Sequence, residues 1–144
     1  MRLPAAVARR RFAAERVARL ATVAPGGGPH LVPVTFAVAI GDGIDRVYTT
    51  VDAKPKTTTR LQRLRDIEAD PRVALLADHY AEDWDTLWWA RAEGVATVLA
   101  RPGDLAEPLR LLATRYPQYR AQPPGGPVIS VRVERWTGWS AGPG

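Results

Sequence analysis

At 144 residues and 46% hydrophobic side chains, the sequence is long and apolar enough for one globular domain with its own core. It has no cysteine, which excludes disulfides, thiolate ligands and a thiol nucleophile, and its two histidines leave no zinc-finger pattern. The net charge of +5 permits a polyanionic partner, yet twenty basic and fifteen acidic residues interleave from Arg2 to Arg135 without a recognition helix, so nucleic acid is not expected.

Residues 4–19 read as a helix, with Pro4 suited to its first turn and Ala13, Val17 and Leu20 on one side. The arginines at 9–11 precede no apolar leader segment, and no apolar run approaches the roughly 20 residues that span a bilayer. A cytoplasmic protein without a membrane span is therefore expected. Leu20–Ala24 predicts a short strand, closed by a Pro25–Pro29 turn whose three glycines lack the lysine and following helix of a phosphate loop. Across 30–40, Val32, Val34, Phe36, Val38 and Ile40 alternate with smaller or polar residues, the clearest strand signal in the chain. Pro33 interrupts its ladder and marks an edge or a bulge, where backbone amides become available to a ligand.

After a turn at 41–45, Arg46–Val51 predicts a strand ending in Thr49 and Thr50. The stretch from Arg46 to Tyr80 then organises the rest. The only two lysines, Lys54 and Lys56, flank Pro55 and are followed by three threonines and Arg60, at the start of a helix predicted over 57–69. A loop–helix junction of this kind suits a phosphate, and equally a solvated basic surface. Pro71 stops the helix, and Val73–Tyr80 is extended. Trp84, Trp88 and Trp89 place three of the five tryptophans within six residues, as core, as a dimer interface, or as an apolar wall for a ligand. Residues 88–100 predict a long strand with Gly94 as a bulge, 104–116 an amphipathic helix on Leu105, Leu109, Leu112 and Tyr116, and 117–127 a Pro/Gly-rich connection. A final strand over 128–136 precedes Trp139. Six strands with few helices predict a mainly β fold, a small antiparallel barrel with helices over its openings, as a single domain over 1–144.

Several chemistries lack their residues. The only serines, Ser130 and Ser140, sit in no nucleophile elbow. His30, His79, Asp78 and Asp83 lack the helical spacing of a metal site, so no metal is expected. Paired carboxylates among Asp78, Asp83 and Asp85 would leave the cationic corner without a role. What fits is chemistry carried by a cofactor, with the protein binding, orienting and shielding it.

The segments Arg19–Val23, Gly28–Phe36 and Val47–Lys56 resemble the pyridoxamine-phosphate-oxidase-like split-barrel proteins. Asp70–Leu76, the Asp78-His79-Tyr80 triplet and the Asp83-Trp84 pair are similar to the actinobacterial branch identified as probable users of coenzyme F420. The resemblance spans about residues 15–140 and implies a split β-barrel homodimer with two cofactor sites at the subunit interface. It implies a phosphate anchor at Lys54, Lys56 and Arg60, with hydroxyls from Thr57 and Thr58. Ring contacts fall on Pro33, Val34, Thr35, Thr49 and Thr50, and Trp139 lies where the last strand approaches the cofactor. Trp84, Trp88 and Trp89 would wall a small-molecule substrate pocket; no proton donor is assigned, the candidates being Tyr80, His79 and solvent. The Arg132–Trp136 segment does not match the substrate arginines of vitamin B6 oxidases. The activity implied is hydride transfer between deazaflavin F420 and an electron-poor acceptor. FMN chemistry on the same scaffold, or non-catalytic binding of a cofactor or tetrapyrrole, are the alternatives.

Overall fold

The computed structural model describes residues 1–51 and 58–142, with residues 58–61 described as backbone only. Seven strands form one antiparallel sheet: β1 (Ala18–Val23), β2 (Pro29–Val34), β3 (Ala37–Gly41), β4 (Ile44–Thr50), β5 (Arg72–His79), β6 (Trp88–Leu99) and β7 (Val128–Ser140). Their spatial order is β2-β1-β5-β6-β7-β4-β3. Helix α1 (Ala5–Ala14) precedes β1, α2 (Thr58–Ala69) joins β4 to β5, and α3 (Pro102–Arg115) and α4 (Pro117–Ala121) join β6 to β7. The mainly β expectation holds, and the barrel is split rather than closed.

The split lies where the sequence reads one strand over 30–40. That run becomes two strands at opposite edges of the sheet, and the chain crosses between them at Thr35 and Phe36. Side chains replace the missing ladder there. The Phe36 amide donates to the Tyr116 hydroxyl at 3.1 Å, and the Arg115 guanidinium donates to the Phe36 carbonyl at 3.0 Å and to the Glu15 carbonyl at 2.6 Å. Paired backbone groups are what a buried crossing requires.

Other boundaries move for related reasons. The first helix ends at Ala14 rather than continuing to 19, because Ala18 onward pairs with β2, Ala18 opposite Val34. The connection read over 117–127 contains α4. Gly94 sits at the predicted irregularity, where the β6–β7 register shifts between Glu93 and Gly94. A Cβ there would lie 2.1 Å from the Arg132 carbonyl oxygen, so only glycine fits.

Alternation sorts the side chains. Leu20, Val47, Leu75, Ala77, Ala90, Ala92, Ile129 and Val131 point inward and are buried. Phe12 of α1 plugs one opening, with its ring 4.7 Å from Phe36 and 5.3 Å from Trp136. No helix among the described residues is long and apolar enough to cross a membrane.

Candidate functional site

The crossing at Thr35 leaves an opening between the end of β2 and the end of β4. Pro33, Val34 and Thr35 form one side, and Thr49 and Thr50 form the floor. Gln118 and Tyr119 of α4, with Gln122 and the Pro123-Pro124 pair, close the opposite side, and Arg63 of α2 stands at the rim. The cleft holds about 550 Å³, within the range of small-molecule and cofactor sites. The register places Thr49 opposite Ile129 and Thr50 opposite Val128, so both threonines belong to a paired, rigid strand.

The polar groups of the cleft differ in how they are satisfied. The Thr35 hydroxyl and the Tyr119 hydroxyl lie 2.6 Å apart and share a hydrogen bond. Thr50 donates to the Pro127 carbonyl at 3.3 Å. Thr49 is 1% exposed, and its hydroxyl has no hydrogen-bond partner among the described residues. A buried hydroxyl without a partner costs free energy, so it is poised to gain from a ligand that supplies one.

Five residues assigned to the cofactor ring on sequence grounds therefore meet in one place. The basic corner is less fully described. Lys54, Lys56 and Thr57 lie outside the described residues, and Thr58 and Arg60 are described only as backbone at the start of α2. In sequence, the lysines fall between β4, which ends at Thr50, and α2, which bears Arg63.

Trp139 does not join the cleft. It pairs with Trp89, eleven positions along β7 from Val128, which at about 3.3 Å per residue puts it roughly 35 Å along the strand from the Thr50 end. The other tryptophans do not form a common wall either. Strand alternation turns Trp88 toward the core, with Arg11 over its ring at 5.5 Å, and Trp89 toward the outer face, with Arg91 at 5.0 Å. Trp84 is 75% exposed on the short 3-10 turn beside Tyr80 and Leu87. His79 pairs with Trp88, at the end of the sheet remote from Thr50, and Tyr80 follows it. Neither expected proton donor stands at this cleft within one chain.

Comparison with known proteins decides the family. Residues 5–140 match the family described as pyridoxamine 5'-phosphate oxidase. The chain belongs to the pyridoxamine 5'-phosphate oxidase family. Solved structures agree on the fold. A conserved hypothetical protein of Mycobacterium tuberculosis is 25% identical with a TM-score of 0.70, over 96% of this chain and 86% of that one. An FAD-binding protein of Mesorhizobium loti is 19% identical with a TM-score of 0.69, over 96% and 95%. A heme-binding protein of Mycobacterium smegmatis is 21% identical with a TM-score of 0.69, over 99% of this chain and 56% of that one. No curated protein matches the sequence.

In this member of the pyridoxamine 5'-phosphate oxidase family, two groups of residues escape a local reading of the sequence. Gln118, Tyr119, Gln122, Pro123 and Pro124 lie in the segment read as a connection. The only local signal there is Tyr116 and Tyr119 three apart across Pro117, their rings 5.6 Å apart in edge contact. The second group surrounds Asp66, whose carboxylate is fully buried. It accepts hydrogen bonds from Thr22 Oγ1 at 2.7 Å, His30 Nδ1 at 2.6 Å and Gln62 Nε2 at 2.8 Å. Burial pushes this carboxyl up, but the hydrogen bonds from His30, Gln62 and Thr22 outweigh it and hold its pKa below the ordinary value. These residues border a second cavity of about 260 Å³ that shares Arg63 with the first cleft. Among the described residues, no three His, Asp or Glu side chains group as metal ligands.

Proposed function

We propose that the protein is an oxidoreductase that binds coenzyme F420 in the Thr35–Thr49–Tyr119 cleft and passes hydride between it and an electron-poor small molecule. The observation that carries this reading is the buried, unpartnered Thr49 hydroxyl on the floor of a 550 Å³ cleft. A heterocycle edge rich in carbonyl and N–H groups supplies what that hydroxyl lacks. The amides of Gln118 and Gln122 offer both donors and acceptors to the same kind of edge. Arg63 at the rim, with Lys54, Lys56 and Arg60 on the segment leading to it, holds the phosphate. When bound, the deazaflavin supplies the two-electron chemistry. The chain's own part is to fix the ring between β2 and β4 and exclude water from it.

FMN on the same cleft is the second reading, favoured by the fold shared with an FAD-binding protein. Non-catalytic binding of a cofactor or tetrapyrrole is the third, favoured by the fold shared with a heme-binding protein. The F420 reading draws on the arginines of α2, which suit an acidic tail. It also includes a second copy of the chain. The exposed aromatic surface of Tyr80 and Trp84 is what such a copy would cover.

Fluorescence anisotropy of F420, and absorbance of FMN and hemin, titrated with purified protein separate these readings. Saturation at one F420 per chain, followed by oxidation of the reduced coenzyme on adding menadione, supports the first. Tight FMN or hemin binding with no F420 endpoint overturns it. Sedimentation equilibrium tests the dimer, and a monomer at micromolar concentration sinks that part.

A further inference from the structure

Outside the cleft, Asp66 is the group that packing explains least. Taking a carboxylate fully out of water costs several kcal/mol unless donors replace the lost solvent. Thr22 and Gln62 already anchor it to β1 and to its own helix. The third donor is of another kind. His30 stands opposite Thr22 in the β1–β2 ladder, so both project to the same side of the sheet, and α2 lays Asp66 over them. Yet 48% of the His30 side chain stays exposed, and the ring borders the second cavity. With Nδ1 bound to the carboxylate, the ring's remaining nitrogen is Nε2. A buried acid holding one nitrogen of an exposed imidazole fixes its tautomer and orientation, which is how a histidine is set up to exchange protons at the other nitrogen.

We propose that His30 is the proton donor to the electron acceptor, which occupies the second cavity with its reducible end toward Arg63, the residue that lines both cavity and cleft. This rests on the oxidoreductase reading above. A bound reduced carrier would supply the hydride, and an acceptor that has gained it would be left with an anionic oxygen. That oxygen takes the proton from Nε2 of the imidazolium. The Nε2–H bond breaks as the O–H bond forms, and the ring returns to the neutral form that still donates from Nδ1 to Asp66. Solvent restores the proton through the exposed side of the ring. Among the described residues, the charged groups bordering the cavity with His30 are Asp66 and Arg63 of α2, while β1 presents Thr22 and β2 itself Leu31 and Val32. Arg63 favours the anionic oxygen, and Asp66 favours the imidazolium until its proton is given up.

Menadione serves as the acceptor, since its reduction consumes one hydride and one proton. In the protein loaded with reduced carrier, kcat should fall as pH rises, because only the imidazolium carries the proton to be given up. His30→Gln should lower kcat about a hundredfold or more, abolish that pH dependence and leave carrier affinity within about twofold. His30→Ala should behave likewise and regain rate on addition of free imidazole, which a merely structural histidine would not do. In the apo protein, imidazole nitrogen NMR should find Nδ1 protonated and Nε2 bare in the neutral ring. An unchanged pH profile in His30→Gln with carrier still bound overturns the role of His30 and leaves the cofactor reading standing. A wild-type protein that binds neither carrier overturns both.

Discussion

Replacing Thr49 by valine should move stability and cofactor affinity in opposite directions. The exchange keeps the branched shape that β4 packs around and removes only the hydroxyl. In the free protein that hydroxyl is buried at 1% exposure with no partner among the described residues. Leaving a buried polar group unpaired costs about 1–3 kcal/mol, so its removal should stabilise the apo protein by about 1 kcal/mol. In the complex the same hydroxyl gains a partner, and a net hydrogen bond of about 0.5–1.5 kcal/mol is lost, which weakens the carrier by up to about tenfold. Urea denaturation of the apo protein reads the first effect and anisotropy titration reads the second. A variant that is less stable while binding F420 and FMN as tightly as the wild type would refute the argument, because the hydroxyl would then be serving the fold and not the ligand.

Further consequences follow from the same geometry. Tyr119→Phe removes the 2.6 Å contact with Thr35 and should weaken the carrier several-fold in the same titration while α4 stays in place by circular dichroism. Gly94→Ala drives a Cβ into the Arg132 carbonyl and should cost about 1–3 kcal/mol or more in urea melts, with β6–β7 amide exchange accelerated first. Asp66 has a lowered folded pKa, so its contribution is complete above the ordinary value of 3.8 and disappears as pH falls through the folded value. Acid titration of Asp66→Asn should therefore show a flatter stability loss below about pH 4 than the wild type. A slope equal to the wild type's would place the acid sensitivity elsewhere.

The sequence makes the final strand legible over 128–136, although it runs on to Ser140, and it makes Gly94 legible as a bulge. It fails at Thr35 and Phe36, where the alternation continues unbroken from Val32 to Ile40 although the chain changes edges. Which edges lie apart is set by the closure of the whole sheet and by Arg115 and Tyr116, about eighty residues away in sequence. The same remoteness hides Asp66. On α2 it reads as one more solvated acid, and only the β1–β2 ladder beneath it, with Thr22 facing His30, turns it into a buried one. The tryptophans mislead in the opposite sense, because closeness in sequence suggests a shared wall that alternation of Trp88 and Trp89 across the sheet prevents. The expectation of ring contacts at Pro33–Thr35 and Thr49–Thr50 comes from a family resemblance, and these five residues line one cleft.

Amide and methyl NMR of the protein titrated with F420, and separately with FMN, tests the central claim most directly, because it reports where a carrier sits. The account predicts shifts concentrated at Val34, Thr35, Thr49, Thr50 and Tyr119. Shifts confined to Tyr80, Trp84 and Trp89 would contradict it and place the carrier outside this cleft.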